Sequence, residues 1–397
     1  MELSIDILSS YPPVQEAEVD KVLAEEIRDN EKKIVVLDDD PTGVQTVHDI
    51  SVYTNWEKAS IEQGFAEENK LFYILTNSRG FTAAQTEKAH KEIAEVVDQV
   101  AKETGKEYLF ISRSDSTLRG HYPLETTILK DEYEKNTGKK IDGEVLCPFF
   151  KEGGRFTIDD VHYVQYDDTL VPAAETEFAK DKTFGYTVSN LKEYVEEKTQ
   201  GAYKKENVTA ISLENIRELN YDKIEEQLLA VEDFNKVIVN AIDYVDVKIF
   251  CVALFRAMKK GKNFMFRTAA AIVKVMGGVS NQPLLTREQM VVKETDNGGI
   301  IVVGSHTDKT TRQMEKLREN KDIAFVELNA TLVNDEAAFA EEVERCLALE
   351  EEYISSGKSV CVYTTRALIT ADTGDKEDDL RLSVRISDAV QSFCLLY

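Results

Sequence analysis

One stretch near the start of the chain, residues 32–43, constrains the fold more than any other. It has the sequence KKIVVLDDDPTG, in which an aliphatic run stops at three consecutive aspartates, Asp38 to Asp40. A continuous apolar run of this kind is typical of a strand buried on both faces of a parallel sheet. In open α/β sheets, ligands bind at the carboxyl ends of such strands. The stretch therefore predicts a parallel α/β fold with a polar site directly after this strand.

Three consecutive aspartates are electrostatically unfavourable unless their surroundings compensate for the charge. Adjacent carboxylates repel one another, so a fold accepts them most readily where a cation, a metal ion or substrate hydroxyl groups offset the charge. The alternative interpretation is a solvated acidic turn that begins the next helix.

The same pattern of an apolar strand followed by polar residues occurs twice more. Residues 71–76 predict a strand that runs into Asn-Ser-Arg-Gly at 77–80, and Thr82 is a plausible N-cap for a helix up to Thr104. Residues 108–111 predict a third strand, followed by SRSDSTLRGH. Arginine can bind a carboxylate through two hydrogen bonds, and Asp, Ser and Thr can bond to hydroxyl groups. This segment therefore suits a polyhydroxylated acid, although it could instead be a loop that caps a helix beginning near Pro123.

At 397 residues the chain is longer than one hydrophobic core usually supports, so two domains are expected. We place the boundary between residues 1–285 and 286–397, in a segment of glycine, proline and charge without periodicity. The sequence of the second domain predicts strands and helices in the order βαβαβα. Its first strand runs into Gly304 and Ser305 and then a helix over 311–319, a geometry that offers backbone N–H groups to phosphate. The fold class is α/β, with two domains, each a largely parallel sheet flanked by helices.

Three further expectations concern individual elements. The apolar residues from 245 to 275 predict one long helix, which contains Arg267 and Thr268. Residues 159–162 predict a small hairpin, and a helix is expected over 378–397.

Charge and composition exclude several function classes. The net charge of −25, without a basic block, argues against a nucleic-acid or anionic-membrane partner. The chain has neither an apolar run of ~20 residues nor a basic, then apolar leader, so a cytoplasmic protein is expected. The five cysteines and five histidines lack metal-ligand spacing and predict no metal site. Whether the protein is a homo-oligomer is left open.

Four motifs occur in the order found in the four-carbon acid sugar kinase family, which the chain resembles from about residue 33 to its end. They are DDPTG at 39–43, SDSTLRG at 114–120, FRTAA at 266–270 and VGSH at 303–306.

The resemblance implies a sugar-acid-binding N-terminal domain, a nucleotide-binding C-terminal domain and an active site in the cleft between them. Such an enzyme transfers the γ-phosphate of ATP to a hydroxyl group of threonate, erythronate or an oxidised relative. Asp39 or Asp40 would be the base, Arg79 and Arg119 would hold the carboxylate, and ATP would carry Mg²⁺. The other residues implied to contact the acid are Ser114, Asp115, Ser116, Thr117 and Gly120, and those implied to contact ATP are Gly304 and Ser305.

Two competing interpretations remain. Members of the family continue into a glycine-rich segment that wraps the nucleotide, and none follows Tyr397. A truncated chain of this kind would bind a sugar acid with weakened or lost catalysis. Alternatively, Asp38, Asp40 and Thr42 match the Asp-x-Asp-x-Thr motif of haloacid-dehalogenase-like phosphohydrolases, in which Asp38 would be the nucleophile and Asp40 the general acid and base.

Overall fold

The structure is a computed structural model and describes residues 1–291, 293, 295–371 and 373–395. The chain divides into two compact units, Met1–Gln282 and Pro283–Tyr397, here called unit 1 and unit 2. The predicted boundary after residue 285, and the roles predicted for the segments on either side of it, stay predictions.

Unit 1 is built on two sheets. Its strands are β1 (Leu3–Ser4), β2 (Lys33–Asp38), β3 (Val52–Tyr53), β4 (Leu71–Leu75), β5 (Tyr108–Arg113), β6 (Gly143–Cys147), β7 (Arg155–Ile158), β8 (Val161–Tyr166), β9 (Thr169–Pro172), β10 (Thr209–Ile211), β11 (Asn235–Val239) and β12 (Phe264–Thr268). Eight of them form a sheet in the order β10-β11-β6-β12-β5-β2-β4-β3, in which all neighbours are parallel. The other four form an antiparallel sheet in the order β1-β9-β8-β7.

Helices cover both faces of the parallel sheet. They are α1 (Glu16–Asp29), α2 (Lys58–Ala66), α3 (Ala83–Thr104), α4 (Leu124–Thr137), α5 (Leu191–Lys198), α6 (Leu213–Arg217), α7 (Tyr221–Leu229), α8 (Tyr244–Lys259) and α9 (Ala270–Met276). Short 3₁₀ helices are found at Ile5–Ser10, Ser78–Gly80, Ala173–Glu175, Glu177–Lys180 and Lys205–Asn207.

Strand β2 shows why the sheet is buried on both sides. Ile34 and Val36 belong to the apolar cluster that includes residues of α1 and α8, whereas Val35 and Leu37 belong to the cluster that includes residues of α2 and α3. Alternate side chains point to opposite faces of a strand, so a run without polar residues needs an apolar partner on each face. The parallel α/β architecture predicted from residues 32–43 is confirmed.

The prediction of one helix from 245 to 275 is wrong. Helix α8 ends at Lys259, Gly261 has a φ of +101°, and residues 264–268 form β12 in the middle of the sheet. A continuous apolar segment fits a buried helix and a central strand equally well, because periodicity cannot separate them when every face is covered. As a consequence, Arg267 and Thr268 lie at the carboxyl end of a central strand.

Two local predictions are confirmed. Thr82 caps α3, because its side chain accepts a hydrogen bond from the Gln85 N–H and the Gln85 side chain accepts one from Thr82. The predicted hairpin joins β7 to β8 through Asp159 and Asp160, whose φ angles of +47° and +67° suit a tight hairpin turn.

Unit 2 has the predicted order βαβαβα after a short first helix. Its elements are α10 (Arg287–Met290), β13 (Ile300–Val303), α11 (Asp308–Leu317), β14 (Ile323–Leu328), a 3₁₀ helix (Ala330–Asn334), α12 (Glu336–Ser355), β15 (Ser359–Thr364) and α13 (Lys376–Ser392). The strands form a parallel sheet in the order β13-β15-β14. Helix α11 begins three residues before the predicted start because Thr307 caps it.

The last helix differs from its prediction at both ends. It was expected over 378–397, whereas α13 spans Lys376–Ser392. Leu396 and Tyr397, which belong to the apolar end noted in the sequence, lie outside the described residues. Among the helices that the structure describes, none combines the length and the apolar character that crossing a bilayer requires.

Candidate functional site

Four adjacent strands of unit 1 bring the polar segments of the sequence to one edge of the sheet. In the order β12-β5-β2-β4, each strand is parallel to its neighbours, so their carboxyl ends meet. Residues 39–43 follow β2, residues 77–80 follow β4 and residues 114–120 follow β5. The motifs that are far apart in the sequence are therefore close together in space.

Asp39 lies behind this edge and is fully engaged. Its two carboxylate oxygens accept bonds from Arg79 Nε at 3.1 Å and Nη2 at 2.6 Å, and Arg113 Nη1 lies 3.1 Å away. Gly120, with a φ of +119°, passes so close that a Cβ there would lie 3.3 Å from Asp39 Oδ2. Asp39 is 2% exposed, and its carboxylate holds two arginines in place.

Asp40 is the aspartate of the three that borders open space. Its carboxylate pairs with Arg79 Nη1, lies 3.5 Å from Arg113 Nη2, and accepts the Thr42 N–H at 2.7 Å as well as the Thr42 hydroxyl. Burial raises the pKa of Asp40, but the two guanidinium groups and Thr42 outweigh it, so the pKa lies below the ordinary value. Asp40 is therefore ionised at neutral pH.

Asp38 is the last residue of β2 and points into the protein. Arg113 Nη1 lies 3.1 Å from its Oδ1, and a Cβ at Gly43 would come within 2.1 Å of its Oδ2. Burial raises the pKa of Asp38 to about 7, with Arg113 partly offsetting the effect.

The loop of residues 114–120 is braced by ion pairs on its own side chains. Asp115 accepts Arg119 Nε at 2.7 Å and the Thr117 hydroxyl, and Arg79 Nη1 lies 4.0 Å from it. Burial raises the pKa of Asp115, but Arg119 and Arg79 outweigh that effect and hold the pKa far below its usual range. Arg119 also lies over the Phe178 ring, at 5.1 Å from the ring centroid.

Four buried side chains from elsewhere in unit 1 bind five successive carbonyl groups of this loop. Arg267 donates to Asp115 O (3.3 Å) and Arg119 O (2.8 Å), His162 to Ser116 O (2.7 Å), Tyr186 to Thr117 O (2.8 Å) and Tyr194 to Leu118 O (2.8 Å). The backbone is thus fixed by tertiary contacts, even at Leu118, whose φ is +70°.

His162 binds the loop as a neutral imidazole. Its Nε2 donates to the Ser116 carbonyl, and Nδ1 lies 3.0 Å from the Thr157 hydroxyl, which donates to it. Burial lowers the pKa of His162 to about 4, so the ring carries no charge at neutral pH.

A cavity of about 220 Å³ opens at this edge of the sheet. Its walls include Asp40, Thr42, Gln45, Arg79, Arg113, Ser114, Asp115, Ser116, Arg119, Phe150, Arg155, Ala269 and Ala270. The volume is below the roughly 300–1,000 Å³ of pockets for drug-sized ligands, so the cavity suits a small polar molecule.

The cavity collects most of the residues predicted for the acid site. Asp40, Arg79, Arg119 and the first three residues of the loop, 114–116, line it. The other three predicted residues, Asp39, Thr117 and Gly120, support the wall from behind.

A larger cavity in unit 1, of about 480 Å³, lies along α1. Its lysines are occupied: Lys248 bonds Glu16 at 2.7 Å, Lys151 bonds Asp243 at 2.9 Å, and Lys274 bonds the Asn281 side chain at 2.7 Å. Because each of these lysines already has a side-chain partner, this cavity offers a ligand fewer unused charged groups than the cavity at the edge of the sheet does.

Unit 2 has a cavity of about 260 Å³ at the corresponding edge of its own sheet. Both predicted residues, Gly304 and Ser305, line it, together with His306, Thr364, Leu368 and residues of α13. Nearby, Arg366 Nη2 donates to the Thr311 hydroxyl at 2.9 Å, and its buried Nη1 has no hydrogen-bond partner among the described residues.

Comparison with known families identifies both units. Residues 34–276 match the model of a sugar-binding N-terminal domain, and residues 300–394 match that of a nucleotide-binding C-terminal domain. The chain belongs to the four-carbon acid sugar kinase family. No curated protein matches the chain.

Three solved structures that are similar to the chain are distant from it in sequence. A putative tRNA synthase from Salmonella typhimurium is 14% identical over 91% of this chain and 81% of its own, with a TM-score of 0.52, and shows the same fold. A Bordetella bronchiseptica protein with a domain of unknown function, solved with bound citrate as a domain-swapped dimer, is 16% identical over 91% of this chain and 80% of its own (TM-score 0.45). A Haemophilus influenzae protein is 16% identical over 90% and 81% (TM-score 0.43).

The phosphohydrolase interpretation is not supported by the geometry. It needs Asp38 as a nucleophile, but this carboxylate is 1% exposed, lies beneath Gly43 and does not line the cavity. A nucleophile must reach the phosphorus atom that it attacks.

The acidic cluster also fits a resident Mg²⁺ poorly. Within the described ranges, Asp38, Asp39 and Asp40 form the one group of three or more possible metal ligands whose ligand atoms all lie within 4.8 Å of one another. Arg79 and Arg113 already occupy those oxygens, and a cation would have to displace them.

Several side chains of the site were not assigned a role from the sequence. Arg155 lines the cavity, while Arg267, His162, Tyr186 and Tyr194 bind the loop carbonyl groups. Arg113 belongs to the polar segment that was expected to suit an acid, but its ion pairs with Asp38 and Asp39 were not predicted. Arg155 follows two glycines shortly before the predicted hairpin at 159–162, and Arg267 belongs to the FRTAA motif. Both features were visible in the sequence, but the neighbours that give them a role were not.

Proposed function

We propose that this protein transfers the γ-phosphate of ATP to a hydroxyl group of a four-carbon sugar acid. The observation that carries the proposal is the small cavity in which Asp40 lies among four arginines, at the carboxyl edge of the sheet in a sugar-binding domain. Phosphoryl transfer depends mainly on positioning and charge stabilisation, with one group to accept the hydroxyl proton. The cavity supplies these groups.

Asp40 is the better candidate for the base. Arginines contact the carboxylates of both Asp39 and Asp40, but only Asp40 borders the cavity, where a substrate hydroxyl group could reach it. In the proposed step the substrate hydroxyl oxygen bonds to the γ-phosphorus, the bond from phosphorus to the bridging β–γ oxygen breaks, and ADP leaves. The hydroxyl proton passes to the Asp40 carboxylate. Its lowered pKa keeps it ionised, and a weak base suffices because the transition state is loose.

The nucleotide is assigned to unit 2. Gly304 and Ser305 line its cavity beside the first turn of α11, where backbone N–H groups favour phosphate. Arg366, with an unused Nη1, adds a positive charge to the same region. Mg²⁺ is expected to arrive with ATP, bound mainly by its phosphates.

The test is ADP release by the full chain with Mg-ATP and a panel of four-carbon sugar acids, for the unmodified protein and Asp40→Asn. We expect release with at least one acid and a loss of about 100-fold or more in turnover for Asp40→Asn, because the proton acceptor is removed. Acid binding, measured by calorimetry, should change much less. Asp131→Asn, at an exposed position on α4, is the matched control and should leave turnover unchanged.

Two results would contradict the proposal at different points. Full turnover in Asp40→Asn would exclude Asp40 as the base. Acid binding without ADP release for any acid would favour the alternative of a sugar-acid-binding protein that does not phosphorylate its ligand.

A further inference from the structure

Four guanidinium groups line the cavity of unit 1, and three of them are already neutralised. Arg79 and Arg113 are paired with the aspartates at 38–40, and Arg119 is paired with Asp115. Each of these three guanidinium groups therefore already has a carboxylate partner within the chain.

Arg155 is the exception. None of the carboxylates that the structure describes has an oxygen within 4.0 Å of its guanidinium, and its buried Nε lacks a hydrogen-bond partner among the same residues. An arginine stays charged in proteins and has five N–H donors to satisfy. The cavity thus contains one guanidinium that no carboxylate among the described residues contacts directly, and its N–H donors can bond the carboxylate of a ligand.

The position of Arg155 is fixed on several sides. It is the first residue of β7, and its backbone exchanges two hydrogen bonds with Phe150, at 2.9 and 3.0 Å. Its guanidinium lies 5.5 Å from the centroid of the Phe178 ring. Gly153 allows this arrangement, because a Cβ there would lie 3.1 Å from Arg155 Nη1 and 2.5 Å from the Phe150 ring. The unpaired cation is consequently held in place before any ligand binds.

We infer that Arg155 binds the carboxylate of the substrate, in place of the pair Arg79 and Arg119 that the resemblance suggested. The inference rests on the proposed function, since it requires the cavity to take a sugar acid. A guanidinium can bond both oxygens of a carboxylate, and the hydroxyl groups of the same molecule would then face Asp40 on another part of the wall. Arg155 would in this way select an acid over the corresponding neutral compound.

The experiment compares the affinity for a four-carbon sugar acid with that for its neutral primary amide. Both ligands are titrated calorimetrically into the full chain, into Arg155→Ala and into Arg155→Lys. For Arg155→Ala we expect the affinity for the acid to fall about 100-fold and that for the amide to change less than about 3-fold. Arg155→Lys keeps the positive charge and the aliphatic part of the side chain near Phe178, but it cannot form two parallel hydrogen bonds to a carboxylate. The affinity for the acid is therefore expected to fall about 10-fold.

Arg256→Ala is the matched control. Arg256 also lies over an aromatic ring, with its guanidinium 5.4 Å from the Tyr221 centroid, but it is paired with Glu26 and lies outside the cavity. Its removal should leave both affinities unchanged. If Arg155→Ala does not fold, as judged by circular dichroism, Arg155→Lys decides the question.

The outcomes separate the two proposals. If the unmodified protein binds the acid and the Arg155 variants keep the preference for acid over amide, the inference about Arg155 is wrong and the proposed function stands. If the unmodified protein binds none of the four-carbon acids, both fail.

Discussion

The loop at residues 114–120 of unit 1 and the loop at residues 304–306 of unit 2 each line a cavity, but different contacts fix their backbones. In unit 1, buried side chains from four distant positions bind the carbonyl groups of residues 115–119. In unit 2, Gly304, Ser305 and His306 are exposed, and the Ser305 hydroxyl bonds to those of Thr307 and Thr310, both at 3.2 Å. Only Thr364, which donates to the Gly304 carbonyl at 3.0 Å, binds this loop from a distant part of the sequence among the residues described.

The buried acidic side chains also differ between the two units: two of unit 1 have ion-pair partners, and one of unit 2 has none among the described residues. In unit 1, Glu144 is paired with Lys236 at 2.8 Å and Asp246 with Arg217 at 2.5 Å. In unit 2, Glu350 on α12 is fully buried, and neither of its carboxylate oxygens has a hydrogen-bond partner in the part of the chain that the structure describes. Unit 1 thus builds its site before a ligand is present, which favours stereochemical selection, whereas the corresponding loop of unit 2 is exposed and Glu350 is buried without an ion-pair partner among the described residues.

The largest effect is expected from Arg267→Met, which removes two of the five loop bonds at once. Arg267 is 1% exposed, and its loss leaves two buried carbonyl groups without their donor. We expect the free energy of unfolding to fall by about 3 kcal/mol and acid binding to weaken strongly. Urea denaturation and calorimetry measure the two effects. Unchanged acid binding would mean that the loop does not need this support.

The next effect concerns Glu350 in unit 2. Burial raises the pKa of Glu350 to about 7, above the value of 4.5 expected when unfolded. The folded state therefore holds the proton more tightly, and stability is lost as the pH rises from 4.5 through 7. Glu350→Gln should stabilise unit 2 by about 2 kcal/mol at pH 8 and have little effect at pH 4.5. Hydrogen exchange of the α12 amides at both pH values measures this difference, and an equal effect at both would contradict the explanation.

A smaller effect is expected from Tyr194→Phe, which removes one hydroxyl bond to the Leu118 carbonyl. The free energy of unfolding should fall by about 1 kcal/mol, with a weaker affinity for the acid. Tyr73→Phe is the control, because the Tyr73 hydroxyl is buried without a hydrogen-bond partner among the described residues. Its removal should be neutral or stabilising. Equal losses in both variants would show that the loop bond contributes nothing specific.

The smallest effect is expected from Ser305→Ala. Ser305 is exposed, and among the described residues its side chain bonds only to the nearby Thr307 and Thr310, so the free energy of unfolding should change by less than about 0.5 kcal/mol. If the proposed nucleotide site is correct, the KM for ATP in the ADP-release assay should rise. A stability loss as large as that of Tyr194→Phe would remove the contrast between the two loops.

The sequence alone determined the elements whose causes are local. The apolar run before Asp38 specified a strand buried on both faces, the Thr82 and Gln85 side chains specified the start of α3, and the βαβαβα order of unit 2 followed from its alternating pattern. It also placed the polar residues at strand ends, because a parallel sheet gathers those ends at one edge.

Tertiary structure alone decided the roles of the polar side chains. Which aspartate borders the cavity depends on the strand order β12-β5-β2-β4, which sets Arg113 beside Asp38 and Asp39. Arg267 can bind the loop carbonyl groups because its segment forms a central strand of the sheet. Arg155 lines the cavity because it lies in a hairpin that reaches the same site. Ion pairs and unpaired charges depend on distances between residues far apart in the chain, and local periodicity carries no information about those distances.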